Sequence, residues 1–252
     1  MKLIKPVDWR SETSFVVDGL EFSGDLETYR EETTPERVVI LKTGGLLRQY
    51  LDMLAPHDTG NILELGIWQG GSPLFYGKAT DAKKVVAIDL RAKNPALDEI
   101  IETHGLGDRV KLHFNTSQDD REAVESIIET DFDGQPIDLV IDDASHLYEP
   151  TKRSFEIIFP KLRQGGLYII EDWQWAHLAN SEYQDGTKWG DQPALSNFIF
   201  ELLMAYGSEG SLFWNIVVRD WFIAIQKGSY QAGGDFKIND LIRMRGRSMW
   251  LI

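Results

Sequence analysis

His146 stands three residues after Asp143, the second acid of the pair Asp142-Asp143, and another pair, Glu171-Asp172, follows after a helix-length interval. Each pair closes a short apolar run, Ile137 to Ile141 and Leu167 to Ile170, of the kind that forms a buried strand. A strand, helix, strand unit of this length makes parallel neighbours, and open α/β sheets collect ligands at the carboxyl ends of such strands. Asp143, His146, Glu171 and Asp172 are therefore expected in one pocket. Three carboxylates meeting there repel one another unless a cation sits among them or some are protonated. A hard divalent ion resolves that conflict, and all-oxygen donors favour magnesium, manganese or calcium over zinc. Histidine is the side chain best matched to proton removal near neutral pH, so His146 is the candidate base. The blander alternative is that the acids cap helices and face solvent.

A second candidate site is the turn Glu64-Leu65-Gly66-Ile67-Trp68-Gln69-Gly70-Gly71-Ser72, between a short strand (61–66) and a helix. Its glycines let a ligand approach the backbone, and the helix N-terminus offers free N–H groups. Trp68 occupies the second glycine position of a dinucleotide fingerprint, and no Lys-Ser/Thr follows, so it is neither that motif nor a P-loop. Asp89 ends the next strand, where an acid in nucleotide-binding α/β sheets bonds ribose hydroxyls. Ser117 and Gln118 follow the third strand and are placed to contact an adenine edge. Each feature also has a plain structural explanation: a tight turn wants glycine, and an acid at a strand end caps a helix.

These residues need a frame. Strands are expected at 61–66, 84–90, 110–115, 137–142 and 167–171, with helices between them and a Gly-Gly turn before the last strand, the alternation of a doubly wound parallel sheet. A hairpin from Leu212 to Gln226 across Arg219-Asp220 closes the chain's ordered part, after a helix from about Ala194 to Tyr206. Residues 1–35 show no firm periodicity and are expected to be an arm, a lid or an oligomer contact. Thr34-Pro35-Glu36 reads as a helix start, with a stripe from Val38 to Leu54 interrupted at Gly44-Gly45. Residues 173–193 carry Trp173, Trp175, His177, Tyr183 and Trp189 and have the length of a lid.

The composition narrows the partners. A net charge of −14 in 252 residues argues against nucleic acid, since lysine and arginine cluster only weakly, near the end. No apolar run reaches the ~18 residues of a membrane span. The start lacks the apolar stretch of a secretory signal and there is no cysteine, which together predict a cytoplasmic protein without disulfides or thiolate chemistry.

The order of elements, the E-L-G-x-x-x-G-G-S turn, Asp89, and the DDASH and IIED segments resemble class I S-adenosylmethionine-dependent methyltransferases. More narrowly they are similar to the metal-dependent O-methyltransferases of macrolide sugars and to cephalosporin hydroxylase-like proteins. The resemblance covers roughly residues 60 to 172. It implies a mostly parallel Rossmann-like sheet within 57–252 and an O-methyltransferase reaction; residues 1–56, which it does not cover, are expected to form a separate N-terminal arm and helix, a lid or oligomer contact. It also implies Asp143, Glu171 and Asp172 as ligands of Mg2+ or Mn2+ and His146 as base. S-adenosyl-L-methionine would lie along Glu64, Gly66, Gly70, Ser72, Asp89 and Gln118, with Asp142 a helper nearby. Trp173, Trp175 and His177 become candidate walls of the acceptor pocket. The expected acceptor is a sugar or polyketide hydroxyl. A catechol-like phenol, or a hydroxylase-like or non-catalytic pocket protein on the same fold, is the alternative, and a homo-oligomer is expected.

Overall fold

The computed structural model describes residues 1–24, 30–179, 181–184, 191–248 and 251. The chain opens with four short strands, β1 (Val7–Trp9), β2 (Ser14–Val17), β3 (Leu20–Ser23) and β4 (Arg37–Val39). They form a sheet in that order, antiparallel up to β3 and parallel between β3 and β4. Val38 and Val39 therefore belong to a strand, not to the helix expected from Thr34 onward. β-Branched neighbours suit a pleated, half-buried surface better than a helix turn. Helix α1 (Gly44–Leu54) starts later, and its true N-cap is Thr43, whose hydroxyl accepts from the Leu46 N–H at 3.3 Å. The glycine pair taken as an interruption is the helix's first turn.

The central sheet follows the expected alternation. β5 (Asn61–Leu65), α2 (Gly71–Ala79), β6 (Lys84–Ile88), α3 (Ala96–Thr103), β7 (Val110–His113), α4 (Arg121–Asp131), β8 (Ile137–Asp142), α5 (Tyr148–Ile158) and β9 (Leu162–Glu171) alternate along the chain. After them come α6 (Ser181–Gln184), α7 (Ser196–Ser208), β10 (Phe213–Val218) and β11 (Phe222–Lys227). The seven strands lie in the order β10-β11-β9-β8-β5-β6-β7, with β11 antiparallel to both neighbours. β9 starts earlier than the sequence suggests, because Gly165-Gly166 makes a bulge inside the strand, where its register with β8 shifts, and not a turn before it. Trp189, assigned to the lid, lies outside the described residues. Among the described residues no helix is long and apolar enough to cross a membrane.

Strand alternation divides the core in two. Ile62, Leu139, Ile141, Leu167 and Ile169 face one side, with Phe15, Phe22, Tyr50 and Phe75 from the N-terminal sheet, α1 and α2. Leu63, Leu65, Val140, Tyr168 and Ile170 face the other, with Phe155, Phe159, Phe198 and Phe213. Each fully buried phenylalanine contributes roughly 1.5–3 kcal/mol, so both layers matter. The chain reverses its direction of winding at β5, with β6 on one side and β8 on the other. That reversal opens a crevice at their carboxyl ends.

The N-terminal sheet is seated against the glycine-rich turn. A Cβ on Gly71 would lie 2.4 Å from the Ile40 Cβ and 2.6 Å from the Val39 carbonyl oxygen. Gly71→Ala should cost roughly 1–3 kcal/mol through overpacking, lowering the thermal midpoint by several degrees and exposing residues 1–43 to protease. An unchanged midpoint and digestion pattern would show that this seat is not tight.

Candidate active site

Alternation along β8 and the residue after it sends the adjacent acids Asp142 and Asp143 to opposite sides of the sheet. Asp142 shares a face with Tyr168 and α5. Its carboxyl accepts from Ser154 Oγ at 3.0 Å, Tyr168 Oη at 3.2 Å and Gln118 Nε2 at 3.3 Å, and burial pushes its pKa up to about 7. Gln118 also donates to Ser154 Oγ and accepts from the Ser145 N–H, both at 3.0 Å. Both residues are thus engaged inside the protein, and the pair braces the loop that carries His146.

Asp143 turns toward the other face, where Glu64 is the next-to-last residue of β5 and Glu171 ends β9. The cation among these acids is one the sequence did not reveal, Lys42, from the segment between β4 and α1. Its side chain is 2% exposed, and its ammonium lies 2.5 Å from Asp143 Oδ2, 2.9 Å from Glu171 Oε1 and 3.1 Å from Glu171 Oε2. Burial works against that charge, but Asp143 and Glu171 more than offset it and hold the lysine pKa well above its ordinary value. Burial, then the neighbouring Asp143, pushes the Glu171 pKa up. The only signal in the sequence is a lysine directly after the apolar run Val38 to Leu41.

The remaining pair face one another across a pocket. Asp143 Oδ1 is 3.8 Å from His146 Nε2, which is 4.0 Å from Asp172 Oδ2. Asp143, His146 and Asp172 each offer a ligand atom within 4.8 Å of the others, a spacing that suits one cation. Glu171 is not in that group, being turned to Lys42. His146 and Asp172 adopt left-handed backbone conformations, with φ of 55° and 56°, which is what aims both into the same space. Burial lowers the His146 pKa below its ordinary 6.5, and burial followed by Asp143 and Glu171 raises that of Asp172. His146 Nδ1 is buried and has no hydrogen-bond partner among the described residues. Its ring packs on Trp175 with centroids 4.3 Å apart. The pocket, about 250 Å³, is lined by His146, Asp172, Trp173, Trp175, His177 and Tyr183 among others. Trp173 is fixed by its Nε1–H to the Arg219 carbonyl at 2.9 Å, and His177 Nε2 lies 2.9 Å from Ser196 Oγ.

The glycine-rich turn is packed against protein on several sides. A Cβ on Gly66 (φ 99°) would lie 2.2 Å from the Asp143 carbonyl oxygen, and one on Gly70 (φ 85°) 2.4 Å from Leu97. These glycines let the turn approach its own chain. The Asp89 carboxylate accepts from the Ile67, Trp68 and Arg91 N–H groups at 2.7, 2.8 and 2.8 Å, so it holds the turn in shape. Thr33 and Asn94 bond Gln69, tying the N-terminal segment to the same turn. Ser72 is buried in the first turn of α2. Glu64 is fully buried, neither carboxyl oxygen has a hydrogen-bond partner among the described residues, and burial pushes its pKa up to about 8.

Residues 63–173 match the model of a family described as a methyltransferase domain. Over those residues the chain is similar to a methyltransferase domain. Its curated relatives include demethylmacrocin O-methyltransferase of Streptomyces fradiae, 32% identical over 118 residues, which are 44% of this chain and 27% of that protein. Mycinamicin VI 2''-O-methyltransferase of Micromonospora griseorubida is 30% identical over 118 residues, 44% of this chain and 26% of that protein. The matches thus span about a quarter of these relatives' length. Among solved structures, the MycE methyltransferase of the mycinamycin biosynthetic pathway, in complex with Mg and SAH, superposes with a TM-score of 0.54 at 22% identity. That superposition covers 72% of this chain and 49% of MycE, and it shows a shared methyltransferase fold.

Glu64 makes the domain's stability depend on pH. Its carboxyl is neutral in the folded protein up to about pH 8 but ionises near 4.5 when unfolded, so the folded state binds the extra proton between those values. Stability therefore falls as pH rises through that window. Relative to Glu64→Gln, the thermal midpoint of the wild type should drop progressively from about pH 4.5 and stop dropping above about 8. A constant difference across that range would place Glu64 in a solvated environment.

Proposed function

We propose that the chain is a magnesium- or manganese-dependent O-methyltransferase that moves a methyl group from S-adenosyl-L-methionine to a hydroxyl of a sugar or polyketide. The observation that carries this proposal is the meeting of Asp143, His146 and Asp172 within 4.8 Å, beside an aromatic-walled pocket. The donor set suits a hard ion, with carboxylate oxygens converging at strand ends. Asp143, Glu171 and Asp172 would hold the ion, which there would lower the pKa of an acceptor hydroxyl. The unpartnered carboxyl of Glu64 suits the ammonium group of the donor's methionine part, with the turn at Gly66, Gly70 and Ser72 and the acid at Asp89 beside it. The donor supplies an electrophilic methyl on sulfonium. As the new O–C bond forms, the S–C bond breaks and the sulfonium becomes a neutral thioether.

The chain's own residues do the rest. His146 takes the acceptor proton, and its lowered pKa leaves the ring neutral at pH 7 and ready to do so. Trp175 holds that ring from one side. Trp173, Trp175 and His177 present flat walls to the acceptor. A pocket of about 250 Å³ lies just under the usual range for small-molecule sites, so it fits one ring of a larger natural product. Because methyl transfer disperses the donor's charge, alignment of the two reactants is the main demand on the protein.

Calorimetry should detect S-adenosylmethionine binding, and an acceptor screen spanning glycosylated macrolides, other polyketides and catechols should show methyl transfer that EDTA abolishes and Mg2+ restores. Undiminished turnover in EDTA would remove the metal from the mechanism. His146→Ala should keep cofactor binding while lowering turnover by roughly 10²–10⁴-fold. Wild-type turnover in that variant would exclude His146 as the base.

A further inference from the structure

The acid cluster already contains a cation, and that cation is part of the chain. Lys42 contacts both oxygens of Glu171, at 2.9 and 3.1 Å, and Oδ2 of Asp143, at 2.5 Å. Only the other oxygen of Asp143 faces His146 and, beyond it, Asp172. A divalent ion that draws on Asp143, Glu171 and Asp172 together must therefore compete with an ammonium group for two of its three carboxylates. Lys42 is not a solvated side chain that can leave at no cost. It is 2% exposed, among the ends of β5, β8 and β9, and a buried charge separated from its partners is strongly unfavourable.

We propose that Lys42 is a tethered competitor of the divalent ion, so that metal affinity is set by the exchange of one cation for another at Glu171 and Asp143. This rests on the metal-dependent function proposed above. The lysine also keeps the carboxylates from repelling one another in the absence of that ion. Its backbone follows β4, and the same N-terminal segment bonds the glycine-rich turn through Thr33 and Gln69.

Lys42→Met keeps the length and apolar stem of the side chain and removes the charge. After metal stripping, titration with MgCl2 in a calorimeter should show at least tenfold tighter Mg2+ binding in K42M than in the wild type. Equal or weaker binding in K42M would overturn the inference and leave the metal-dependent function standing. Absence of Mg2+ binding in both proteins would overturn the two together. Should K42M not fold, the wild type gives the answer by NMR of 15N-labelled lysine. The buried Lys42 ammonium resonance, assigned with K42R, should shift or broaden as Mg2+ binds, and an unmoved resonance at saturating Mg2+ overturns the inference.

Discussion

Parallel strands that end side by side deliver their last residues to the same place, and here β5, β8 and β9 each carry an acid as their last or next-to-last residue. On the face shared with the N-terminal sheet, Glu64, Asp143 and Glu171 converge within a largely buried space. Like charges so arranged destabilise the fold unless they are neutralised, protonated or kept in water. The structure uses the first two means. Lys42 neutralises part of the charge, and the raised pKa values of Glu64, Glu171 and Asp172 show that burial favours the protonated form of the rest. Lys42 lies between β4 of the N-terminal sheet and α1, two residues after Ile40, which packs on Gly71.

The same alternation gives neighbouring acids different work. Asp142 is absorbed into a polar network with Ser154, Tyr168 and Gln118, on the side of α5. Asp143 goes to the cluster on the other side. Glu171 and Asp172 are separated differently, since the left-handed backbone at Asp172 swings it toward His146 while Glu171 stays with the lysine. Each of the two acid pairs thus supplies one residue that shapes the fold or the charge balance and one that faces His146.

Much of this was legible in the sequence, for physical reasons. Buried parallel strands are apolar runs of four to six residues, so β5, β6, β8 and the end of β9 stand out, and with them the places where Asp143, His146 and Asp172 had to meet. The N-terminal sheet was not legible, because its strands are three or four residues long and are held by packing of Phe15 and Phe22 on Phe75 rather than by local preference. Val38 and Val39 suit strand or helix when read alone, and only the pairing of β4 with β3 decides between them. Lys42 was invisible for a similar reason. Its partners are 101 and 129 positions away, and its place after the apolar run Val38 to Leu41 does not reveal them. The turn glycines are expected to serve ligand approach, and they also serve the chain's own packing, since a Cβ on Gly66, Gly70 or Gly71 would meet Asp143, Leu97 or Ile40.

His146, Asp172 and Trp68 share one further property, backbone φ values of 55°, 56° and 49°. For residues with a β-carbon this conformation costs roughly 1–2 kcal/mol each relative to right-handed backbone. Glycine would relieve the strain at all three positions, and selection for heat resistance alone would tend to install it. At His146 and Asp172 that same change would delete the side chains that face the pocket. Thermal robustness and chemical competence therefore pull in opposite directions at these positions, and efforts to stabilise the molecule are better directed at its surface loops than at the rim of its sheet.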